Sequence, residues 1–176
     1  MKRKDIKERI QEYFFIHPTA KLRVREIERI LGLPLPSVIR YCRELEKEDI
    51  LMINKIGEVN LYTASRSENY LLEKKLYNLK RLYISGIIEY LKIELSNPVV
   101  VVFGSYSKGE DIEESDIDLY LETQSKKKVD LKRFEKILNR KIQVLSHKNI
   151  KEIKNLYLAN NILNGITLNG VLEVFR

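Results

Sequence analysis

The 176-residue chain has no tryptophan, one cysteine, two methionines, four prolines and seven glycines. A single cysteine, Cys42, excludes an internal disulfide framework and a cysteine-built zinc site. Its setting reads as that of a half-buried helix residue. Long apolar runs are also missing. The longest purely aliphatic–aromatic run is Val99–Phe103, against the roughly 20 residues that a membrane-spanning helix needs. The N-terminus is charged from Lys2 onward, with no apolar stretch of signal-peptide length behind it, which predicts a cytoplasmic protein with no membrane partner. Hydrophobic residues make up 44% of the chain and charged residues 32%. That balance is globular rather than disordered. The length allows one domain or two small ones.

The net charge is +7 and the pI is near 9.3. Such a balance permits nucleic-acid or nucleotide binding without specifying either. Residues 1–66 carry 14 basic and 10 acidic residues, and residues 98–176 carry 13 and 11. The excess therefore leans toward the N-terminal third.

In that third, Ile6, Ile10, Tyr13 and Phe14 recur at helical spacing and predict a helix over 3–16, stopped by His17-Pro18. Val24, Ile27, Ile30 and Leu31 predict a second helix ending at Gly32. Pro36 suits the first turn of a third, whose apolar face holds Val38, Ile39, Cys42 and Leu45. A hairpin follows, with strands over 51–55 and 59–63 and a turn at Gly57-Glu58. Three short helices and a hairpin resemble a winged helix-turn-helix domain. The resemblance implies that the third helix enters the major groove. Arg40, Tyr41 and Arg43 are then the DNA-facing side chains, and Lys55, near the wing tip, reaches phosphate. Arg40 and Arg43 equally suit solvated helix charges, with the hairpin left for protein contacts.

Residues 67–97 read as one long linker helix capped by Ser67 and ended by Asn97-Pro98. Its apolar stripe is wide for a linker and predicts homodimerisation or packing on a domain. Residues 98–176 alternate strands and helices. Strands are predicted over 98–103, 116–122 and 141–145, with a short one near 166–168; helices are predicted over 105–110, 130–138 and 149–161. The fold class is α+β: an N-terminal domain over 1–66, a linker helix over 67–97, and a C-terminal mixed sheet over 98–176 with helices on one side. Ser125–Lys128 reads as a solvated loop.

The stretch FGSYSKGEDIEESDIDLYLE, residues 103–122, carries the chemistry. Gly104-Ser105 follows a buried strand; glycine lets a phosphate approach the backbone, and Ser105 offers a hydroxyl and an N–H where anions are favoured. Asp116 and Asp118, two apart on a strand, face the same side with Cα atoms about 7 Å apart. Side chains so placed can converge on divalent cations.

The ordered set GSYSKGEDIEESDIDL resembles the signature of the DNA polymerase β-type nucleotidyltransferase superfamily, most closely its minimal prokaryotic members, over about residues 85–170. Ser115-Asp116 also fits that pattern. The resemblance implies that Gly104 and Ser105 hold a nucleoside triphosphate, ATP above the others, and that Asp116 and Asp118 ligate Mg²⁺, two ions in an active enzyme. The implied reaction is attack of a hydroxyl on the α-phosphate with loss of pyrophosphate. One position departs. The family's third carboxylate falls on the strand RKIQVLS, where this chain has Gln143. An amide cannot act as a general base and removes a negative charge from the site. Loss of a positioned base costs roughly 10²–10⁴ in rate. Glu122 lies too far along its strand to replace it. Glu110, Asp111, Glu113 and Glu114 reach only if their loop folds inward, and Asp130 reads as a helix cap.

Two functional readings follow. One is a Mg²⁺-dependent transferase moving NMP from an NTP to an unidentified acceptor, fused to a DNA-binding domain and acting as an antitoxin beside an all-helical toxin partner. The other is a catalytically weak or inactive nucleotide-binding transcriptional regulator. A plain turn followed by an acidic strand edge is the third, non-functional possibility.

Overall fold

The computed structural model describes residues 5–174, and the chain divides into two compact units, one ending at Lys74 and the other beginning at Lys75.

The first unit is built from α1 (Ile6–Ile16), α2 (Val24–Leu31), α3 (Leu35–Lys47) and an antiparallel hairpin, β1 (Leu51–Ile56) and β2 (Val59–Ala64). The start of the expected first helix, residues 3 and 4, lies outside the described residues. Local chemistry sets the ends of these elements. His17 closes α1, Gly32 closes α2 in the left-handed region at φ 58°, and Pro34-Leu35-Pro36 opens α3 with proline in its first turn. Ile10, Phe14, Ile27, Val38, Cys42 and Leu45 are fully buried, so each helix spends its apolar face inward. Leu22, on the α1–α2 connection, exchanges two backbone hydrogen bonds with Tyr62 and so adds a third rung beside β2. Burial pushes the Cys42 thiol up to about 12.

The expected single helix over 67–97 is two. Helix α4 (Glu68–Ser85) begins after Ser67, whose Oγ accepts the Tyr70 N–H, and it ends at Gly86. Gly86 takes φ 78°, and α5 (Ile87–Glu94) starts from it. Left-handed backbone cannot continue an α-helix, and glycine adopts it without steric cost. The segment is also more than a linker. Leu82, Ile87, Ile88, Leu91 and Leu95 are core residues of the second unit. This packing within one chain accounts for much of the stripe that suggested a dimer face.

The second unit holds a four-stranded mixed sheet in the order β5-β4-β3-β6. Its strands are β3 (Val99–Phe103), β4 (Ile117–Glu122), β5 (Ile142–His147) and β6 (Ile166–Asn169). The β3–β4 and β3–β6 pairs are antiparallel; β4–β5 is parallel. Helices cover both faces, not one. Val100, Val102, Ile117, Leu119 and Leu121 face α5 and α7 (Lys132–Leu138), with Phe134 and Leu138 among them. Val101, Phe103 and Tyr120 face a 3-10 turn (Ile150–Glu152) and α8 (Leu156–Leu163), through Ile150, Ile153 and Ile162. A strand apolar on both faces, as VVVVF is, demands two covers. The helix expected over 149–161 is therefore a short turn followed by α8. The turn ends at Ile153, and Asn155 caps α8, accepting N–H bonds from Tyr157 and Leu158. Likewise Leu131, not Asp130, is the N-cap position of α7, though Asp130 Oδ1 accepts the Lys132 N–H. Among the described residues no helix is long and apolar enough to cross a membrane.

Candidate active site

Strand β3 ends at Phe103, which pairs with Asp118 across the sheet. The chain then turns through Gly104 at φ 72° into the one-turn helix α6 (Gly104–Lys108). A Cβ at position 104 would lie 2.5 Å from Asp118 Oδ2. Glycine is required here for the backbone conformation, and a side chain at 104 would also oblige the Asp118 carboxylate to turn aside. Ser105 follows at the head of α6, and its carbonyl accepts the Glu110 N–H at 3.0 Å. Ser107 Oγ donates back to the Gly104 carbonyl at 2.8 Å and pins the turn.

Strand β5 supplies the other wall. Its parallel register sets Gln143 beside Asp118, and register partners share one face of a sheet. Gln143 Nε2 donates to Asp116 Oδ2 at 2.5 Å. Asp116 sits just before β4, and the Ile117 N–H is held by the Lys141 carbonyl. Gly104, Asp116, Asp118 and Gln143 are therefore brought together from three separate segments, with Ser105 adjoining. Burial and then the neighbouring Asp116 carboxylate push the Asp118 carboxyl above its ordinary value. The two half-buried acids repel one another, and a divalent cation would neutralise them. The two carboxylates fit such an ion.

No third acid arrives. Among the described residues no three His, Cys, Asp or Glu side chains come together as a metal-binding group. Glu122 is occupied elsewhere, where it accepts the Ile150 N–H at 2.8 Å. Asp111 does fold inward, but away from the pair. It is 2% exposed, accepts from Asn78 Nδ2 at 2.8 Å and faces the Arg140 guanidinium at 3.9 Å. Asn78 also donates to the Tyr106 carbonyl at 3.0 Å. This network ties the 109–116 loop to α4 and to the segment that precedes β5. Nothing local in the sequence announces it, because Asp111 lies 33 positions from Asn78. Ser115 Oγ accepts the Ile112 N–H and holds the last turn before Asp116.

The residues expected to face DNA all lie in the first unit. Arg40 and Arg43 are exposed on α3, and Lys55 is exposed near the hairpin turn. The Arg40 guanidinium stacks on the Tyr41 ring at 4.4 Å and approaches Glu44 at 3.8 Å. In the second unit, Lys127 pairs with Glu94, so one cation of the SKKK loop is engaged in a surface ion pair.

Residues 84–168 match a family model described as a nucleotidyltransferase domain. The matched segment starts at the end of α4 and runs to β6, and it contains Gly104, Ser105, Asp116, Asp118 and Gln143. It supports a nucleotidyltransferase-like function for the second unit. No curated protein and no solved structure matches the chain.

Proposed function

We propose that residues 98–176 bind a nucleoside triphosphate together with Mg²⁺, that residues 1–66 form a winged helix-turn-helix domain that binds DNA, and that the chain is a nucleotide-responsive regulator in which NMP transfer is slow. Gly104 and Ser105 hold the triphosphate, ATP being the expected nucleotide. Asp116 and Asp118 hold the cation, which when bound supplies neutralisation of phosphate charge. One observation carries this reading. Gln143 stands where the resemblance expects a third carboxylate, and its N–H points at Asp116. An amide in that position takes up no proton from an attacking hydroxyl. The hydroxyl is left without a base, so chemistry slows while the phosphate-holding residues stay in place.

Arg40, Tyr41, Arg43 and Lys55 are the proposed DNA contacts. The exposure of Arg40, Arg43 and Lys55, and the Leu22–Tyr62 bridge that braces the hairpin, support that assignment. Homodimerisation is kept as a proposal on the exposed Leu76, Ile84 and Ile93.

The second reading is an active transferase that moves NMP to a hydroxyl acceptor, with an antitoxin role toward an all-helical toxin partner. The family match and the close assembly of Gly104, Asp116 and Asp118 favour it. A single pair of assays separates the two. Mg-ATP raises the melting temperature in both, and Asp116→Ala/Asp118→Ala abolishes the rise. Under the first reading, label from α-³²P-ATP reaches no acceptor at a useful rate until Gln143→Asp restores the acid. Ready transfer by the wild-type chain selects the second. Absence of a thermal shift with all four triphosphates removes both.

A further inference from the structure

The Gln143–Asp116 hydrogen bond has a consequence for how much metal the site can take. The resemblance implies two ions bridged by three carboxylates. Here the third carboxylate is an amide, and the amide N–H is aimed at Asp116 Oδ2 rather than outward. That N–H takes one lone pair of the oxygen, and among the described residues no third carboxylate supplies the ligand that a second ion would need. Asp118 Oδ2 lies beside Gly104, on the side where the Gly104-Ser105 turn would hold phosphate. The carboxylates of Asp116 and Asp118 suit a single hard cation completed by phosphate oxygens and water.

Resting on the nucleotide-binding reading above, we infer that this site takes one divalent cation per bound nucleotide, and that Gln143 fills the place of the second by hydrogen-bonding Asp116. Gln143 is thus a determinant of metal stoichiometry. It substitutes a neutral donor for the ion that would activate an attacking hydroxyl, and it leaves the ion that accompanies the triphosphate. Loss of a base alone has a different signature, because a chain that lacked only the base would still bind two ions.

The test counts ions. Mn²⁺ is titrated into the full-length chain saturated with α,β-methylene-ATP, and bound Mn²⁺ is followed by loss of the free-ion electron paramagnetic resonance signal. The expected result is one ion per bound nucleotide for wild type and two for Gln143→Asp. Gln143→Glu, which keeps the side-chain length, provides the same measurement where the shorter acid perturbs β5, and melting curves report folding of both. Two ions in the wild-type complex overturn the inference and leave nucleotide binding intact. One ion in wild type and still one in both folded acid variants also overturns it, by removing Gln143 as the cause. Failure of wild type to bind the nucleotide at all overturns the reading beneath it as well.

Discussion

Gly104 and Asp118 are in direct contact: the acid's Oδ2 lies where the first side-chain carbon of any other residue at 104 would meet it, at 2.5 Å. The turn that would receive phosphate and the acid that would hold a cation are one packed unit, joined across the β3–β4 pair.

Gly104→Ala is therefore expected to be costly, chiefly through its backbone. The left-handed backbone alone costs about 1–3 kcal/mol for a non-glycine residue. The Asp118 carboxylate must also turn aside to admit the methyl, a smaller cost because Oδ2 is the far end of its side chain. In the Asp118→Ala background the same substitution costs less, because the opposing carboxylate is gone. Urea melts of the four proteins in this cycle give the coupling directly, expected within about 0.5–3 kcal/mol. Strict additivity refutes the contact.

The raised Asp118 carboxyl makes stability depend on pH in a definite direction. Its folded-state pKa lies above the unfolded one, through burial first and Asp116 second. The stability this contributes is full below the unfolded value and is lost as pH rises through the folded value. At neutral pH the ionised acid is a liability to the empty fold. Asp118→Asn is expected to melt above wild type at pH 7, with the gap closing as pH falls below the ordinary carboxylate range, while Mg²⁺ no longer raises its melting temperature. Differential scanning fluorimetry across the range from acid to neutral pH checks the sign. A gap that widens in acid contradicts it.

The buried Asp111 anchors the loop that delivers Asp116. Asp111→Ala removes the carboxylate that Asn78 and Arg140 face, and breaking a buried pair in this way costs about 3–5 kcal/mol. The 3.9 Å separation from Arg140 places it toward the lower end. Asp111→Asn keeps an acceptor for Asn78 and is expected to recover part of the loss. A fall of about 10 °C in melting temperature for the alanine variant would match; an unchanged melting temperature would show that the network carries no stability.

For the first unit, DNA affinity is expected to fall steeply with salt. Arg40→Ala/Arg43→Ala is expected to weaken binding and to flatten that slope by about one unit for each phosphate left without its cation. Fluorescence anisotropy of a labelled duplex across a KCl series measures both. Binding insensitive to salt, or unchanged in the double variant, assigns this face to protein contacts instead.

Much of the secondary structure is legible because it is written locally. Periodicity marks α1 to α3, Gly57 marks the hairpin, and VVVVF and the alternating IDLYLE mark β3 and β4. Sequence and structure part where a single residue or a distant partner decides. Helical spacing runs on through Gly86, since one left-handed residue leaves the apolar recurrence nearly intact; the break shows only in its φ. The second cover of the sheet is implied by the apolar β3, but α8 has to be placed to find it. Asp111 looks like any other acid in an acidic loop. Its burial depends on Asn78 and Arg140, which no local pattern links to it.

The sequence by itself determined the chemical inventory of the candidate site: a glycine–serine turn, two aspartates two residues apart, and an amide where a third acid was expected. Those are covalent facts; the expected strand over 116–122 begins one residue later, at Ile117, so Asp116 is placed by the turn before β4. Only the tertiary structure decided what the inventory amounts to. The parallel β4–β5 register sets Gln143 level with Asp118, its N–H reaches Asp116, and the antiparallel β3–β4 register presses Gly104 against Asp118. Strand register between distant segments is fixed by burying one face of the whole sheet at once, so no stretch read alone contains it.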